Sequence, residues 1–312
     1  MKTSKLLRYK LEYWGLLLAV VPWYYLPRRA SLALGSFLGW FVAHVIPIRR
    51  DVVEANLLRA FPYKSTKEIK QLAIRTYQHF GRMIAEFVRQ DKYEADDLAQ
   101  FVTVHNRDLL DLVQEDTGAV LLLGHFGNWE ILGRWLACQK DQQTVALERP
   151  QDNPYVSEFI SKKRRYGNLS MMSIFESTSA FLSVLQSGNI LMMLADQDAR
   201  RRGVFVDFFD IPSSTPRGAA VFAYRLKAPI ILAFPVMLPD NSYEIILEQL
   251  QPDTNGTSNA IRGILQQYMA RLQFHVSTHP EQYFWFHRRW KTQPKKQSAT
   301  DSVAPSLAGA AG

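Results

Sequence analysis

Two apolar runs without a formal charge lie near the start of the chain, at 13–26 and 30–48, parted by Pro27-Arg28-Arg29. The first is shorter than the ~20 residues a spanning helix needs, and the second just reaches that range. Trp14, Trp23, Tyr24, Tyr25 and Trp40 supply rings suited to a headgroup interface. The pattern predicts a membrane-anchoring helical element over 1–50, embedded or interfacial; a buried helical hairpin would carry the same runs. A cleaved signal peptide fits poorly, because Trp23-Tyr24-Tyr25 and Pro27-Arg28-Arg29 stand where small residues belong. After Ser65, apolar residues recur at Ile69, Leu72, Ala73, Tyr77, Phe80, Met83, Ile84 and Phe87, a helical period. Beyond 118 the texture changes. Strand-like runs at 118–124, 144–147, 190–195, 204–208, 230–237 and 243–247 alternate with helical segments, so 51–293 reads as an α/β domain. Residues 294–312, small, polar and rich in Pro, Ala and Gly, read as a disordered tail.

With 47% hydrophobic and 21% charged residues, the 312-residue chain can bury a core and is not disordered as a whole. One cysteine, Cys138, excludes an intramolecular disulfide framework and a Cys-rich zinc module. The formal charge of +8 is unevenly spread: +5 over 1–29 and +4 over 287–312 leave −1 between. A nucleic-acid channel would need cations throughout the folded body, so no nucleic-acid partner is expected. Basic flanks around apolar runs favour an anionic membrane and its cytoplasmic side.

The chemistry concentrates at Gly124-His125-Phe126-Gly127-Asn128-Trp129-Glu130, where a buried strand ends. The glycines permit a tight turn and close substrate approach. Asn128 is a good cap for the helix that follows. On one ideal helix His125 and Glu130 would stand about 140° apart, but a turn at Gly127 lets Glu130 fold back toward the imidazole. A carboxylate on one ring nitrogen fixes the tautomer and leaves the other nitrogen as a base. A packed turn histidine beside a carboxylate favoured by the helix dipole is the plainer alternative.

The segment resembles the H-x4-D/E signature of the bacterial lipid A secondary acyltransferases, the lauroyl/myristoyl transferase family. Further blocks resemble that family in order: Arg149-Pro150 with Asn153-Pro154; Arg164 with Gly167; Asp196-Gln197-Asp198 with Gly203-Val204-Phe205-Val206 and Thr215; and Pro280 through Thr292. The resemblance implies a glycerolphosphate-acyltransferase-like mixed sheet flanked by helices, anchored at the bacterial inner membrane on its cytoplasmic face. It implies acyl transfer from an acyl-carrier-protein or CoA thioester, without another cofactor, to a hydroxyl on a 3-hydroxyacyl chain of a lipid A precursor. The phosphatidylinositol mannoside acyltransferases share enough to keep a related glycolipid acceptor open. His125 would be the general base and Glu130 its orienter. Arg164 is the oxyanion candidate; it also fits contact with lipid phosphate or with the acidic carrier. Asn128 and Asp198 are further substrate-binding candidates.

Rival chemistries have less support. Asp196-Gln197-Asp198 reads D-x-D, a pattern of metal-dependent glycosyltransferases, yet a strand-end turn with Asp198 orienting Arg200, Arg201 or Arg202 explains it, and no metal is expected. His275 and His279 are four apart but lack a third ligand, and read as solvated or capping residues. Neither a G-x-S-x-G nor a phosphate-loop motif is present. A non-catalytic lipid-binding protein would have no need of the His125/Glu130 pair.

Overall fold

A computed structural model describes residues 3–46, 48–139, 143–251 and 257–294. The tail expected over 294–312 falls, apart from Pro294, outside the described residues. The first third is helical: α1 Thr3–Tyr25, α2 Arg28–Val45, α3 Arg50–Ala60, α4 Thr66–Arg89 and α5 Ala95–Ala99. Ser65 starts α4 by accepting from Glu68 N, while the Glu68 carboxylate accepts from Ser65 N, so two otherwise orphaned donors are satisfied. The apolar period read from the sequence becomes the buried face of α4, with Ile69, Leu72, Ala73, Tyr77, Phe80 and Met83.

The strands are β1 Val102–His105, β2 Ala119–Leu123, β3 Thr144–Glu148, β4 Leu169–Ser173, β5 Ile190–Leu194, β6 Val204–Phe208, β7 Ile211–Thr215, β8 Ile230–Met237 and β9 Tyr243–Leu250. Between them run α6 Trp129–Ala137, α7 Pro154–Arg164, α8 Thr178–Gln186 and α9 Gly218–Leu226, and α10 Thr257–Thr278 follows β9. Seven strands form one sheet in the order β1-β9-β8-β2-β5-β3-β4. Five run parallel, from β8 to β4; β9 turns antiparallel to β8, and β1 lies parallel to β9. β6 and β7 form a separate hairpin. The mixed α/β architecture expected from the alternating runs is the one found.

β2 explains why its sequence is uniformly apolar rather than alternating. Every residue of Ala119–Leu123 is fully buried, with Val120 and Leu122 in one core and Leu121 and Leu123 in the other. A central parallel strand is covered on both faces. The chain leaves β2 for β3, passing over β5, so the crevice at the carboxyl ends of β2 and β5 is where an open sheet of this kind presents a site.

α2 packs against α4 backbone to backbone. A Cβ on Gly81 would lie 2.0 Å from Gly35 O, and one on Gly39 2.2 Å from Tyr77 O. Among the described residues no single helix is long and apolar enough to cross a membrane. α1 nonetheless exposes Leu7, Leu11, Trp14, Leu18, Val21 and Tyr25 along one stripe.

Candidate active site

His125 stands two residues beyond β2, and Asp196 two beyond β5. These strands are paired in parallel with Leu123 opposite Leu194, so the same step along each brings the two side chains together. His125 Nδ1 lies 2.6 Å from Asp196 Oδ1. Asp196 is buried. Burial alone would raise its carboxyl, but the imidazole and hydrogen bonds from His125 outweigh that and hold it below the usual carboxylate value. The ionised Asp196 accepts the Nδ1 proton and leaves Nε2 with the lone pair. Gln197 Nε2 stands 3.4 Å from that nitrogen.

This corrects the partner expected for His125. Glu130 does not fold back onto the imidazole. It is the second residue of α6 and points across to α7, where Arg164 takes both its oxygens: Nη2 to Oε1 at 2.7 Å and Nε to Oε2 at 3.0 Å. Trp129 Nε1 donates to Oε1 as well. Arg164 also reaches Glu148 Oε2 at 3.2 Å through Nη1. Burial lowers the Arg164 pKa, but Glu130 first and then Glu148 more than restore it, so the guanidinium is held above its ordinary value. The signature carboxylate thus positions the arginine, and a carboxylate 71 residues downstream positions the histidine. Sequence spacing pointed to the nearer carboxylate; only the adjacency of β2 and β5 reveals the other. The parallel wording Leu123-Gly124-His125 and Leu194-Ala195-Asp196 was the available signal.

The turn carrying His125 is held by backbone hydrogen bonds. Phe284 N donates to His125 O, Gly127 N to Gln282 O, and Asn128 N to Pro235 O. His79 Nε2 meets Gly127 O at 3.1 Å. Gly127 has φ +63°, and a Cβ there would lie 1.7 Å from Pro235 O, so only glycine fits. Asn128 is the expected cap, accepting from Ile131 N and donating to Tyr243 Oη; it is fully buried, which removes it as a substrate contact. Asp198 does not orient an arginine side chain. Its carboxylate accepts from Thr292 N, Thr292 Oγ1 and Arg200 N, fastening the C-terminal segment to the turn after β5. Asp196 and Asp198 therefore serve different partners, and among the described residues no group of three His, Cys, Asp or Glu could hold a metal ion. His275, read as solvated or capping, is instead buried, stacked on Phe234 and bonded to Glu248.

An apolar groove of about 870 Å³ opens beside this turn. Trp23, Leu38 and Val42 line it from α1 and α2, Tyr77, Met83, Ile84 and Phe87 from α4, and Phe284 and Phe286 from the C-terminal segment. At one end stand Trp129, Glu130 and Arg164. Trp129 and Phe284 both pack on the His125 ring, with centroids 5.1 and 5.9 Å away. His125, a guanidinium with N–H groups to spare and an apolar channel therefore lie close together.

The sequence matches the family described as bacterial lipid A biosynthesis acyltransferase over residues 1–292. It is 25% identical to the lipid A biosynthesis lauroyltransferase of Escherichia coli (strain K12), covering 86% of this chain and 88% of that one. It is 24% identical to a phosphatidylinositol mannoside acyltransferase of Mycobacterium tuberculosis (strain CDC 1551 / Oshkosh), covering 80% and 79%. A crystal structure of the 1-acyl-sn-glycerophosphate acyltransferase PlsC from Thermotoga maritima aligns with 81% of this chain and 98% of that one, at TM-score 0.36 and 15% identity.

Proposed function

Since the chain belongs to the bacterial lipid A biosynthesis acyltransferase family, we propose that it transfers a fatty acyl group from a carrier-protein or CoA thioester to the hydroxyl of a 3-hydroxyacyl chain on a lipid A precursor. The observation that carries the reading is the His125–Asp196 pair, whose imidazole packs on Trp129 and Phe284 of an apolar groove lined by Arg164. The acyl chain lies in the groove and its carbonyl comes to rest by Arg164. His125 Nε2 takes the acceptor's hydroxyl proton while Asp196 stabilises the imidazolium that forms. The alkoxide oxygen bonds to the carbonyl carbon, and the tetrahedral oxyanion is met by Arg164. Its guanidinium keeps N–H groups beyond those bonded to Glu130 and Glu148, while the backbone N–H groups of Gly127 and Asn128 are already committed. The C–S bond then breaks, and the leaving thiolate takes the proton from His125.

The protein works at the cytoplasmic face of the inner membrane. The exposed apolar stripe on α1 and its basic N-terminal residues, Lys5, Arg8 and Lys10, support this placement. A phosphatidylinositol mannoside is the second acceptor to consider, favoured by the mycobacterial relative. Mass spectrometry of lipid products, with both acceptors and mixed acyl donors, tests the reading. An added ester-linked chain, absent with His125→Ala, is expected; failure of wild-type protein to acylate either lipid would overturn it.

A further inference from the structure

Five exposed cations lie on two segments joined at Asp198, and none has an ion-pair partner among the described residues. Arg200, Arg201 and Arg202 form one turn of 3₁₀ helix. Arg288 and Lys291 lie on the segment that Asp198 fastens to that turn, through Thr292 and through Asp198 N donating to His287 Nε2. The sequence places these charges almost ninety residues apart; the fold gathers them.

The arginine turn is held firmly although its guanidinium groups are free. Arg200 sits at φ +57°, a conformation that costs an ordinary side chain energy. Asp198 Oδ1 accepts from its N–H, Ser214 Oγ donates to its carbonyl, and Ala199 N donates to Ser214 O. A Cβ on Gly203 would lie 2.2 Å from Ser214 Oγ, so the exit from the turn is equally tight. Each exposed guanidinium on this turn offers a planar fork to an anion.

The turn begins three residues after Gln197, whose amide stands 3.4 Å from His125 Nε2. That is the side of the base the acceptor hydroxyl must reach. The acyl groove meets His125 from another direction, through Trp129 and Phe284. We propose that Arg200, Arg201 and Arg202 form a binding site for a phosphate on the headgroup of the lipid acceptor. This rests on the acyl-transfer reading above. Guanidinium forks pair bidentately with phosphate. An acidic carrier protein fits less well here, because its thioester must enter at the Arg164 end, where Lys162 and Arg165 are exposed.

The test compares a glycolipid acceptor bearing a sugar phosphate with the same lipid after phosphatase treatment. Wild-type protein should favour the phosphorylated form in kcat/KM by about tenfold or more, the worth of one good charge-assisted pair. The triple variant Arg200→Gln/Arg201→Gln/Arg202→Gln should lose that preference, and the corresponding triple lysine variant should recover part of it. No preference in the wild type, an intact preference in the glutamine variant, or a rise in KM for the carrier-linked donor instead would each overturn the proposal. Tight binding of inorganic phosphate, competitive with the acceptor at micromolar concentration, would make this a free-ion site and overturn the headgroup assignment. Absence of any acyl transfer by the wild type is failure of the underlying reading, and is seen as such because neither acceptor is then modified. In that case sedimentation with phosphatidylcholine vesicles, with and without phosphatidic acid, still decides: a phosphatidic-acid-dependent gain is expected for the wild type, and an equal gain in the triple glutamine variant overturns the site.

Discussion

Asp196→Asn is the sharpest perturbation of the proposed chemistry, because it keeps the shape of the side chain and removes its charge. In the folded protein the carboxylate lies 2.6 Å from His125 Nδ1 and is almost completely shielded from water. The imidazolium formed during proton transfer would stand about 4 Å from the centre of that charge. At an effective dielectric near 20 the attraction is worth about 4 kcal/mol, equivalent to about a thousandfold in rate. The hydrogen bond that fixes the ring also becomes ambiguous, since an amide can present either a donor or an acceptor to Nδ1. The assay is steady-state acyl transfer in detergent micelles, with product formation followed by mass spectrometry. kcat should fall about a thousandfold with little change in KM. His125→Ala should fall at least as far, and the double variant no further, since the two residues act as a unit. Glu130→Gln should cost less, because it weakens the hold on Arg164 and leaves the base intact. An Asp196→Asn protein within about tenfold of wild-type turnover would refute the assignment, and a greater loss in Glu130→Gln would return the orienting role to the signature carboxylate.

Other consequences can be measured independently. His79 is wholly buried, and burial lowers its pKa from 6.5 to about 3. The unfolded chain therefore takes up this proton first, and stability is lost as pH falls from about 6.5 to 3. Denaturant titrations across that range should show a shallower fall for His79→Gln, and an identical slope would contradict it. Gly81→Ala puts a Cβ 2.0 Å from Gly35 O and should cost about 1–3 kcal/mol by forcing α2 and α4 apart, visible as a lowered Tm. Val42→Trp fills part of the apolar groove and should shift donor preference to shorter chains, at about 0.8 kcal/mol for each methylene no longer buried; an unchanged preference in a mixed-donor assay would mean that the chain binds elsewhere.

Local patterning carried most of the fold. The period after Ser65 and the apolar runs from 118 onward became α4 and the strands β2, β3, β5, β6, β8 and β9. The strands β1, β4 and β7 were not foreseen. β1 and β4 are short sheet edges, and β7, which contains Pro212, pairs only with β6, so none makes a buried apolar run. At the site, His125, Asn128, Glu130 and Arg164 stood out because their types and spacing were informative. Their pairing was not legible, because which carboxylate reaches which cation is decided by strand order. In the sequence Asp196 reads as half of a metal-like D-x-D and as part of a block resembling the family, with nothing to tie it to His125. The C-terminal basic block looked like a flanking charge, and only the Thr292–Asp198 bonds bring it beside the arginine turn.

The helical hairpin at the start of the chain is bound into the catalytic body by more than apolar contact. Arg28, at the beginning of α2, donates to Glu86 Oε1 at 2.6 Å, and Glu86 is fully buried in α4. Tyr93 donates to the other oxygen, and Tyr243 lies 3.4 Å from the first. Tyr243 in turn receives the side-chain N–H of Asn128, which caps the helix next to the His125 turn. The same hairpin supplies Trp23, Leu38 and Val42 to the groove wall. Removing the hairpin would unwall the groove and strand a buried carboxylate. Breaking a buried pair from one side costs about 3–5 kcal/mol, a large share of the 5–15 kcal/mol typical of a whole domain. A chain beginning at residue 50 should therefore be unstable rather than a soluble enzyme. Two point variants of the full chain isolate the cause. Arg28→Ala keeps the apolar surface but leaves Glu86 charged and unpaired, so its Tm in detergent should fall steeply. Glu86→Gln removes the buried charge and keeps one acceptor oxygen for Arg28, with its NH2 turned to Tyr93 Oη, so it should be milder. If Arg28→Ala melts like the wild type, the pair does not bind the hairpin to the catalytic body.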